Sequence, residues 1–562
     1  MSEDSGGMRA TEDSGDDIGS PLAAWNRLLT TGSTKKGGEE TGGERERRRA
    51  KLIAKKKMGG VRGVIVDASV LLAIDDNNNA TPSLRPGAEF LLRALQFSQL
   101  RKGLCYGSNL SNDKLTFLER MSRLYSFDCF SFNVSSLDDV IPEIATAWGD
   151  IGGTIMCFIS SYNKDFYHKM CNYGWLIVVL NVDAVGDISE SPSISYVKKL
   201  EELPLNICRL NRKGNENKVI TVGYVMKPSR QTDFAKRGAF PIYSEQEGLM
   251  FLPLTYELPM PLQLQELDVV LHKATDEIIS IELSDFSAAS PKISYTGGMQ
   301  ELKRSLEHQP NCLVIDPFDK IYPVLDRLKI QHILLGLEEL NIEGHLRIRG
   351  PHFLKVDKFN DPDLMGRLSA AKLSLPSIVK PQVACGVADA HKMAIVFRFE
   401  DYKDLNLPLP AIVQEYVDHS SLLFKFYVLG EEVFYATKKS TPNADILMKS
   451  SQANELKPLS FDSLKSLPTV DEIHSGSEVG TNAEKDIDLE LVTNAANWLR
   501  RKLDLTIFGF DVVIQEGTGD HVVVDVNYLP SFKEVPDNVA IPAFWKAIKS
   551  KFVTNRSESG NM

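Results

Sequence analysis

Three residues near the C-terminus have types and spacing that suggest chemistry: Asp511, Asp525 and Asn527. They lie in two valine-rich runs, FGFDVVI (508–514) and HVVVDVN (521–527), which flank QEGTGD. The two glycines of that hexapeptide signal a hairpin turn. Asp525 and Asn527 are two apart and share one face of a strand. Pairing Gln515 with His521 leaves EGTGD as the loop and sets Asp511 opposite Asp525. Like charges directly opposite are destabilising, and burying them without a partner costs more. A divalent cation would resolve both problems. Two carboxylates and an amide oxygen on a rigid hairpin suit Mg²⁺, which completes its shell with waters and substrate phosphates. Two readings without a metal stay open: a solvent-facing pair on an edge hairpin, or two carboxyls sharing a proton. A register slip of one residue would put the acids on opposite faces.

Phosphoryl transfer needs cations around the phosphates, because the protein supplies positioning and charge neutralisation. Lys425 stands in LLFKFYV, a strand so apolar that its ammonium must find a partner or reach solvent. Lys380 ends PSIVK just before PQVACGVADA, the order strand, lysine, glycine-containing loop. The chain has no GxxxxGK[ST], HRD or DFG, so neither the P-loop nor the protein-kinase pattern applies. Strand lysines with a C-terminal acidic hairpin point to the ATP-grasp architecture.

The elements that must hold these residues can be sketched from pattern. The 562 residues suffice for roughly two to four domains. Residues 1–58 are poor in apolar side chains and read as a disordered arm. Its basic run RERRRAKLIAKKK (45–57) reads as a solvated helix or a nuclear address. VRGVIVDASVLLA (61–73), GLCYGSN (103–109), TIMCFIS (154–160) and WLIVVLNVD (175–183) read as buried strands, with helical stretches such as AEFLLRALQF (88–97) between them. That alternation gives an α/β, Rossmann-like domain over 59–212. NRKGNENK (211–218) marks a break. A second α/β unit spans 219–317, an α+β unit spans 318–552, and 553–562 form a tail. Residues 441–486 read as an irregular polar loop.

The net charge of −11 argues against a DNA-binding role, and no apolar run is long enough to insert into a membrane. Seven cysteines without a CxxC read as reduced thiols, so the expected compartment is the cytoplasm, with the nucleus also open.

Over 220–545 the sequence resembles the inositol-tetrakisphosphate 1-kinases, also called inositol 1,3,4-trisphosphate 5/6-kinases. The motifs that carry the resemblance are VGYVM, LDVVLHKATDEI, VIDP, LDRLK, IVKPQVACG, IVQEYVDHSSLLFKFYVLG and FGFDVVIQEGTGDHVVVDVNYLPSFKEVP. It implies an ATP-grasp kinase acting on inositol tris- and tetrakisphosphates. ATP would be the co-substrate and Mg²⁺, as two ions, the cofactor. It implies Asp511, Asp525 and Asn527 as metal ligands. Arg327, Lys380, Ser440 and the segment Gln414, Glu415, Tyr416 and Val417 would bind ATP. Arg230, Lys273, His391, Lys425, Asn527 and Ser531 would hold the inositol phosphate, with Lys425 and His391 in catalytic roles. The expected protein is a monomer.

Three positions depart from the family pattern. Cys385 stands where His or Asp is expected, ATKKSTPNA (436–444) replaces an Arg-Pro-Ser segment, and Ser531 replaces a glycine. The N-terminal domain resembles haloacid-dehalogenase-like phosphatases, as in the long plant form of the family. It has Asp67 but Ser69 where the second acid belongs, so no phosphatase activity is expected. Other readings that stay open are an unrelated α/β N-terminal domain, a carboxylate–amine ligase, a non-catalytic inositol phosphate binder and a reversible phosphotransferase.

Overall fold

The computed structural model describes residues 60–73, 81–107, 109–131, 137–149, 151, 153–160, 169–180, 193–214, 219–243, 248–283, 292–452, 457–465, 467–468 and 487–560. The arm 1–58 with its basic run therefore lies outside the described residues, as does 469–486, while the expected tail from 553 is helical as far as Gly560.

Near-continuous apolar runs demand burial on both faces, and the first sheet provides it. Strands β1 (Val61–Asp67), β2 (Arg101–Tyr106), β3 (Asp128–Ser131), β4 (Thr154–Ile159), β5 (Leu176–Leu180) and β6 (Ile194–Val197) are all parallel, in the order β3-β2-β1-β4-β5-β6. Val64, Val66 and Phe158 pack on one face, Ile65, Cys157 and Ile177 on the other. The expected strand 61–73 is shorter than its apolar run. It stops at Asp67, whose carboxylate accepts the Ser69 N–H and caps the helix Ala68–Leu71. The break foreseen at 211 comes later, because the helix Glu202–Gly214 continues through Arg and Lys, which favour helix.

The second sheet contains β7 (Ile220–Val225), β8 (Leu249–Pro253), β9 (Val269–His272) and β12 (Leu313–Ile315), parallel in the order β12-β9-β7-β8. Beside it β10 (Ile278–Glu282) and β11 (Lys292–Tyr295) form an antiparallel pair. Two five-stranded sheets follow. One has the order β13 (Ile348–Arg349), β22 (His521–Tyr528), β21 (Ile507–Ile514), β18 (Leu422–Leu429), β19 (Glu432–Lys439). The other has the order β14 (Phe353–Val356), β17 (Ala411–Glu415), β15 (Ser377–Pro381), β16 (Lys392–Val396), β20 (Leu459–Asp462). The polar stretch after 441 is more regular than expected: its apolar residues at ADILM build the helix Ala444–Gln452, and β20 closes a sheet edge.

One core joins the second sheet to the hairpin sheet: Phe251, Leu271 and Phe234 share it with Phe426, Phe510 and Phe544. The β14–β20 sheet has a core of its own around Val379, Val396, Tyr402 and Val413. The acidic hairpin is thus welded to the second α/β unit, while the sheet carrying Lys380 is packed separately.

Candidate active site

The hairpin pairs Asp511 with Asp525. The turn differs from expectation. Ile514, not Gln515, pairs with His521, and the loop runs from 515 to 520, tied by Gln515 N–H to Asp520 C=O at 2.8 Å and Gly519 N–H to Gln515 C=O at 2.9 Å. The register slips by one at Val524, which bulges between Asp525 and the pair Val512–Val523. The bulge absorbs the extra loop residue, so the opposition of the carboxylates survives.

On the other side of β21, Lys425 lies directly opposite Asp511, which sets Lys425, Asp511 and Asp525 in one row across β18, β21 and β22. The Asp511 Oδ1 is shut off from solvent and has no hydrogen-bond partner. Burial pushes the Asp511 carboxyl up to about 6, Lys425 opposes that shift and Asp525 adds to it. Asn527 donates its amide N–H to Asp525 Oδ2 at 2.9 Å, so its amide oxygen is the atom left for a cation. Among the described residues no group of three or more His, Cys, Asp or Glu could hold a metal. The hairpin nevertheless fits a hard cation: an orphaned buried oxygen, a second carboxylate facing it and an amide oxygen, with the remaining ligands to come from water and phosphate.

Cations surround this row. Lys380 is buried, reaches the Val524 carbonyl exposed by the bulge at 3.4 Å, and faces Asp525, Arg327 and Asp511; burial brings its pKa down to about 8. Arg327 opens the helix Arg327–Leu335 behind its cap Asp326. Its Nη1 donates to the carbonyls of Pro381, Val383 and Ala390 at 2.6, 2.9 and 3.2 Å, and Nη2 to Ala384 at 3.3 Å. It therefore braces the loop after Lys380 and feels Asp525 and Cys385. His391 precedes β16, with Nδ1 at 3.3 Å from the Ser463 hydroxyl; burial depresses its pKa, and Arg327 and Asp525 are neighbours.

A second cation group belongs to the other α/β unit. Lys273 follows β9, donates to the Tyr528 carbonyl and lies 5.1 Å from that ring's centre. Burial first, then Arg230, brings it down to about 8, with Cys385, Asp276 and Lys227 also nearby. Arg230 is paired with Asp276 at 3.1 Å, and Asp276 also accepts the Lys227 N–H at 3.2 Å. Cys385 thus sits between the two groups, close to both Lys273 and Arg327.

The remaining expected residues lie at the rims. Gln414 and Glu415 end β17, from which the chain passes to β18 of the other sheet. Gln414 is buried with its amide oxygen unpartnered, Glu415 pairs with Arg349 at 2.5 Å, and the Tyr416 hydroxyl donates to the Pro442 carbonyl. The Val417 carbonyl and the Ser440 hydroxyl both contact the His419 ring, at 2.6 and 2.8 Å. The Ser531 carbonyl accepts from Arg237 at 2.5 Å.

Sequence reasoning missed Arg237, His419 and the Lys438–Glu534–Tyr427 contact, in which both Lys438 and the Tyr427 hydroxyl bind the Glu534 carboxylate. Of these, only Lys438 carried a signal, a charge facing the same way as Ala436 on β19.

The N-terminal sheet holds a very different acid. Asp67 Oδ1 accepts from the Ser69 N–H at 2.9 Å and from the Ser69 hydroxyl, while Oδ2 accepts from Cys105 Sγ at 3.6 Å. The Ser69 hydroxyl also meets that of Ser160 at 2.5 Å.

An acidic hairpin flanked by buried lysines, carried on mixed α/β sheets, is the architecture of an ATP-grasp enzyme. The profile of the inositol 1,3,4-trisphosphate 5/6-kinase ATP-grasp domain matches residues 342–545, and that of the ITPK4 N-terminal HAD-like domain matches 58–213. Inositol-tetrakisphosphate 1-kinase 6 of Oryza sativa subsp. japonica is 45% identical over 504 residues, 88% of this chain and 90% of its own length. The inositol-tetrakisphosphate 1-kinase of Xenopus laevis is 28% identical over 326 residues, 56% of this chain and 75% of its own. The chain belongs to the inositol-tetrakisphosphate 1-kinase family and is an inositol phosphate kinase, with a haloacid-dehalogenase-like domain before its ATP-grasp core.

Proposed function

We propose that Asp511, Asp525 and Asn527 would hold Mg²⁺, as two ions, in a kinase that transfers phosphate from ATP to an inositol tris- or tetrakisphosphate. The observation that carries this reading is the cross-sheet row Lys425–Asp511–Asp525 with its orphaned buried oxygen. When bound, the metal supplies charge neutralisation for the transferring phosphoryl group. Lys380 draws charge from the ATP phosphates, and Arg327 keeps the following loop in place to meet them. Gln414 to Val417, where the chain crosses from one sheet to the other, flank the adenine, with Ser440 at the rim. Lys273, Arg230, His391 and Lys425 hold the inositol phosphates, Asn527 and Ser531 edge the ring, and Lys425 and His391 stand closest to the transfer. No carboxylate base is required, because a loose transition state takes little help from one.

The names of the matching domain and relatives support Ins(1,3,4)P3, phosphorylated at position 5 or 6, and an inositol tetrakisphosphate, phosphorylated at position 1, as acceptors; the family resemblance implies Ins(3,4,5,6)P4 as the second. Seven free cysteines support a reducing compartment, the cytoplasm with the nucleus as a second location. The test is ATP turnover with a panel of inositol tris- and tetrakisphosphates, resolving the product by position, for wild type and Asp525→Ala. Transfer to a defined hydroxyl that disappears in the variant is the expected result. Undiminished transfer by Asp525→Ala overturns the metal assignment.

A further inference from the structure

The helix Pro228–Lys236 carries Arg230 in its first turn, and the residue after its last turn is Arg237. The Arg237 side chain is only 9% exposed, and its guanidinium hydrogen bonds all leave its own helix. Its Nε donates to Asp537 Oδ1 at 2.5 Å, Nη1 to the Ser531 carbonyl at 2.5 Å and Nη2 to the Phe532 carbonyl at 3.2 Å. The guanidinium also lies 4.8 Å from the centre of the Phe532 ring.

The clamped segment leaves the metal hairpin directly after Asn527. Leu529 and Phe532 take φ of 40° and 37°, a region that non-glycine residues rarely enter and keep only where their surroundings fix them. Tyr528 is fixed from the other α/β unit: its hydroxyl accepts the Asp316 N–H at 3.0 Å and its carbonyl accepts from Lys273. Phe532 is fully buried, edge-on to Phe234 of the Arg230 helix at 5.2 Å. One short helix thus reaches the inositol phosphate cations with Arg230 and the exit of the metal hairpin with Phe234 and Arg237.

We propose that Arg237 is a positioning residue for phosphoryl transfer, fixing the segment 528–532 so that the metal hairpin and the acceptor-binding cations keep one separation. This rests on the roles given above to Asp525, Asn527, Lys273 and Arg230. Arginine suits the task because its planar fork reaches several acceptors at once, whereas a lysine ammonium is a single point.

The test compares Arg237→Lys, Arg237→Ala and Asp525→Ala with wild type, using kcat, the KM for inositol phosphate and for ATP, and the thermal midpoint. A misplacement of reacting groups costs on the order of 10²-fold, so kcat with the inositol phosphate acceptor should fall by about that factor in both Arg237 variants. The KM for ATP should stay within about twofold, because a purely transition-state loss leaves ground-state binding alone. Arg237→Lys should keep its thermal midpoint close to wild type and still lose kcat, which a merely structural role would not produce. Should Arg237→Ala fail to fold, Arg237→Lys carries the test alone. The proposal is overturned if folded Arg237→Lys has wild-type kcat and acceptor KM, or if kcat and ATP affinity fall together. If Asp525→Ala is fully active, the metal reading has failed instead, a result distinct from either.

Discussion

Two strand aspartates meet opposite fates in this chain. Asp67, at the end of β1, has both oxygens engaged by its own domain, one by the Ser69 N–H and hydroxyl and the other by Cys105. Asp511, in the middle of β21, has a buried oxygen with no partner, faces Asp525, and is pushed up to about 6 chiefly by burial. A carboxylate satisfied by its own backbone does structural work, here as a helix cap. A buried carboxylate left unsatisfied beside a second one is costly unless a ligand completes it. The difference separates a haloacid-dehalogenase-like sheet that retains the acid at the expected strand end from a hairpin still arranged to receive a cation.

The largest expected effect is on turnover. Asp525→Ala should lower inositol phosphate kinase activity by on the order of 10³-fold, the scale of losing charge stabilisation at a transferring group. Asp67→Ala should leave kcat within about twofold, since it disturbs a cap in another domain. Parallel steady-state assays of the two variants check this. A comparable loss in Asp67→Ala would erase the distinction and make the N-terminal acid part of the kinase.

This contrast was only partly legible in the sequence. The period of two along 521–527 put Asp525 and Asn527 on one face, but setting Asp511 opposite Asp525 rested on a Gln515–His521 pair that the structure replaces with Ile514–His521, a difference that a bulge compensates. Alternation was not enough to place the Val524 bulge, whose presence depends on how the 515–520 turn closes. That bulge turns a carbonyl toward Lys380, a contact between distant segments that no local pattern encodes. The lysine in LLFKFYV announced a partner, but only the register of β18 with β21 identified it as Asp511. Arg237 gave no signal at all, since its meaning lies in carbonyls almost three hundred positions away, |i−j| = 294 for Ser531. The strand-and-helix alternation of the N-terminal domain was readable, whereas the saturation of Asp67 by Ser69 and Cys105 needed the folded sheet.

A smaller effect should appear in pH dependence, and it separates the cation ring from the rest of the fold. Lys273 and Lys380 are each brought down to about 8, from 10.5, principally by burial. A phosphate ligand binds the protonated ammonium, so affinity should be lost as pH rises through about 8. The loss should reach roughly tenfold per pH unit for each lysine that a ligand engages. Stability runs the other way. The unfolded chain holds these protons up to about 10.5 and the ligand-free fold releases them near 8, so folding is favoured increasingly as pH rises across that window. Isothermal titration of inositol phosphate in buffers of different ionisation enthalpy should show proton uptake on binding at pH 8 to 9. Its absence in Lys273→Met, with uptake kept in wild type, would assign the acceptor's share to Lys273. No uptake in wild type would remove Lys273 from the acceptor phosphate site.

The smallest effect concerns stability without ligand, and it is the sharpest comparison of the two acids because the signs differ. Asp67→Ala removes a cap and should destabilise by about 1 kcal/mol. Asp511→Asn keeps the shape but removes a charge that sits opposite Asp525, and should stabilise the metal-free protein by roughly 0.2–1 kcal/mol. Lys425, Lys438 and Lys380 all attract the Asp511 carboxylate, so the gain is not automatic. The net upward displacement of that carboxyl shows that burial and Asp525 outweigh the three lysines. Thermal midpoints in chelator should therefore move in opposite directions for the two variants. Adding Mg²⁺ with a non-hydrolysable ATP analogue should then raise the wild-type midpoint by mass action and leave Asp511→Asn behind. If Asp511→Asn is instead destabilised in chelator, the lysines dominate and the hairpin is a satisfied ion cluster that does not call for a cation.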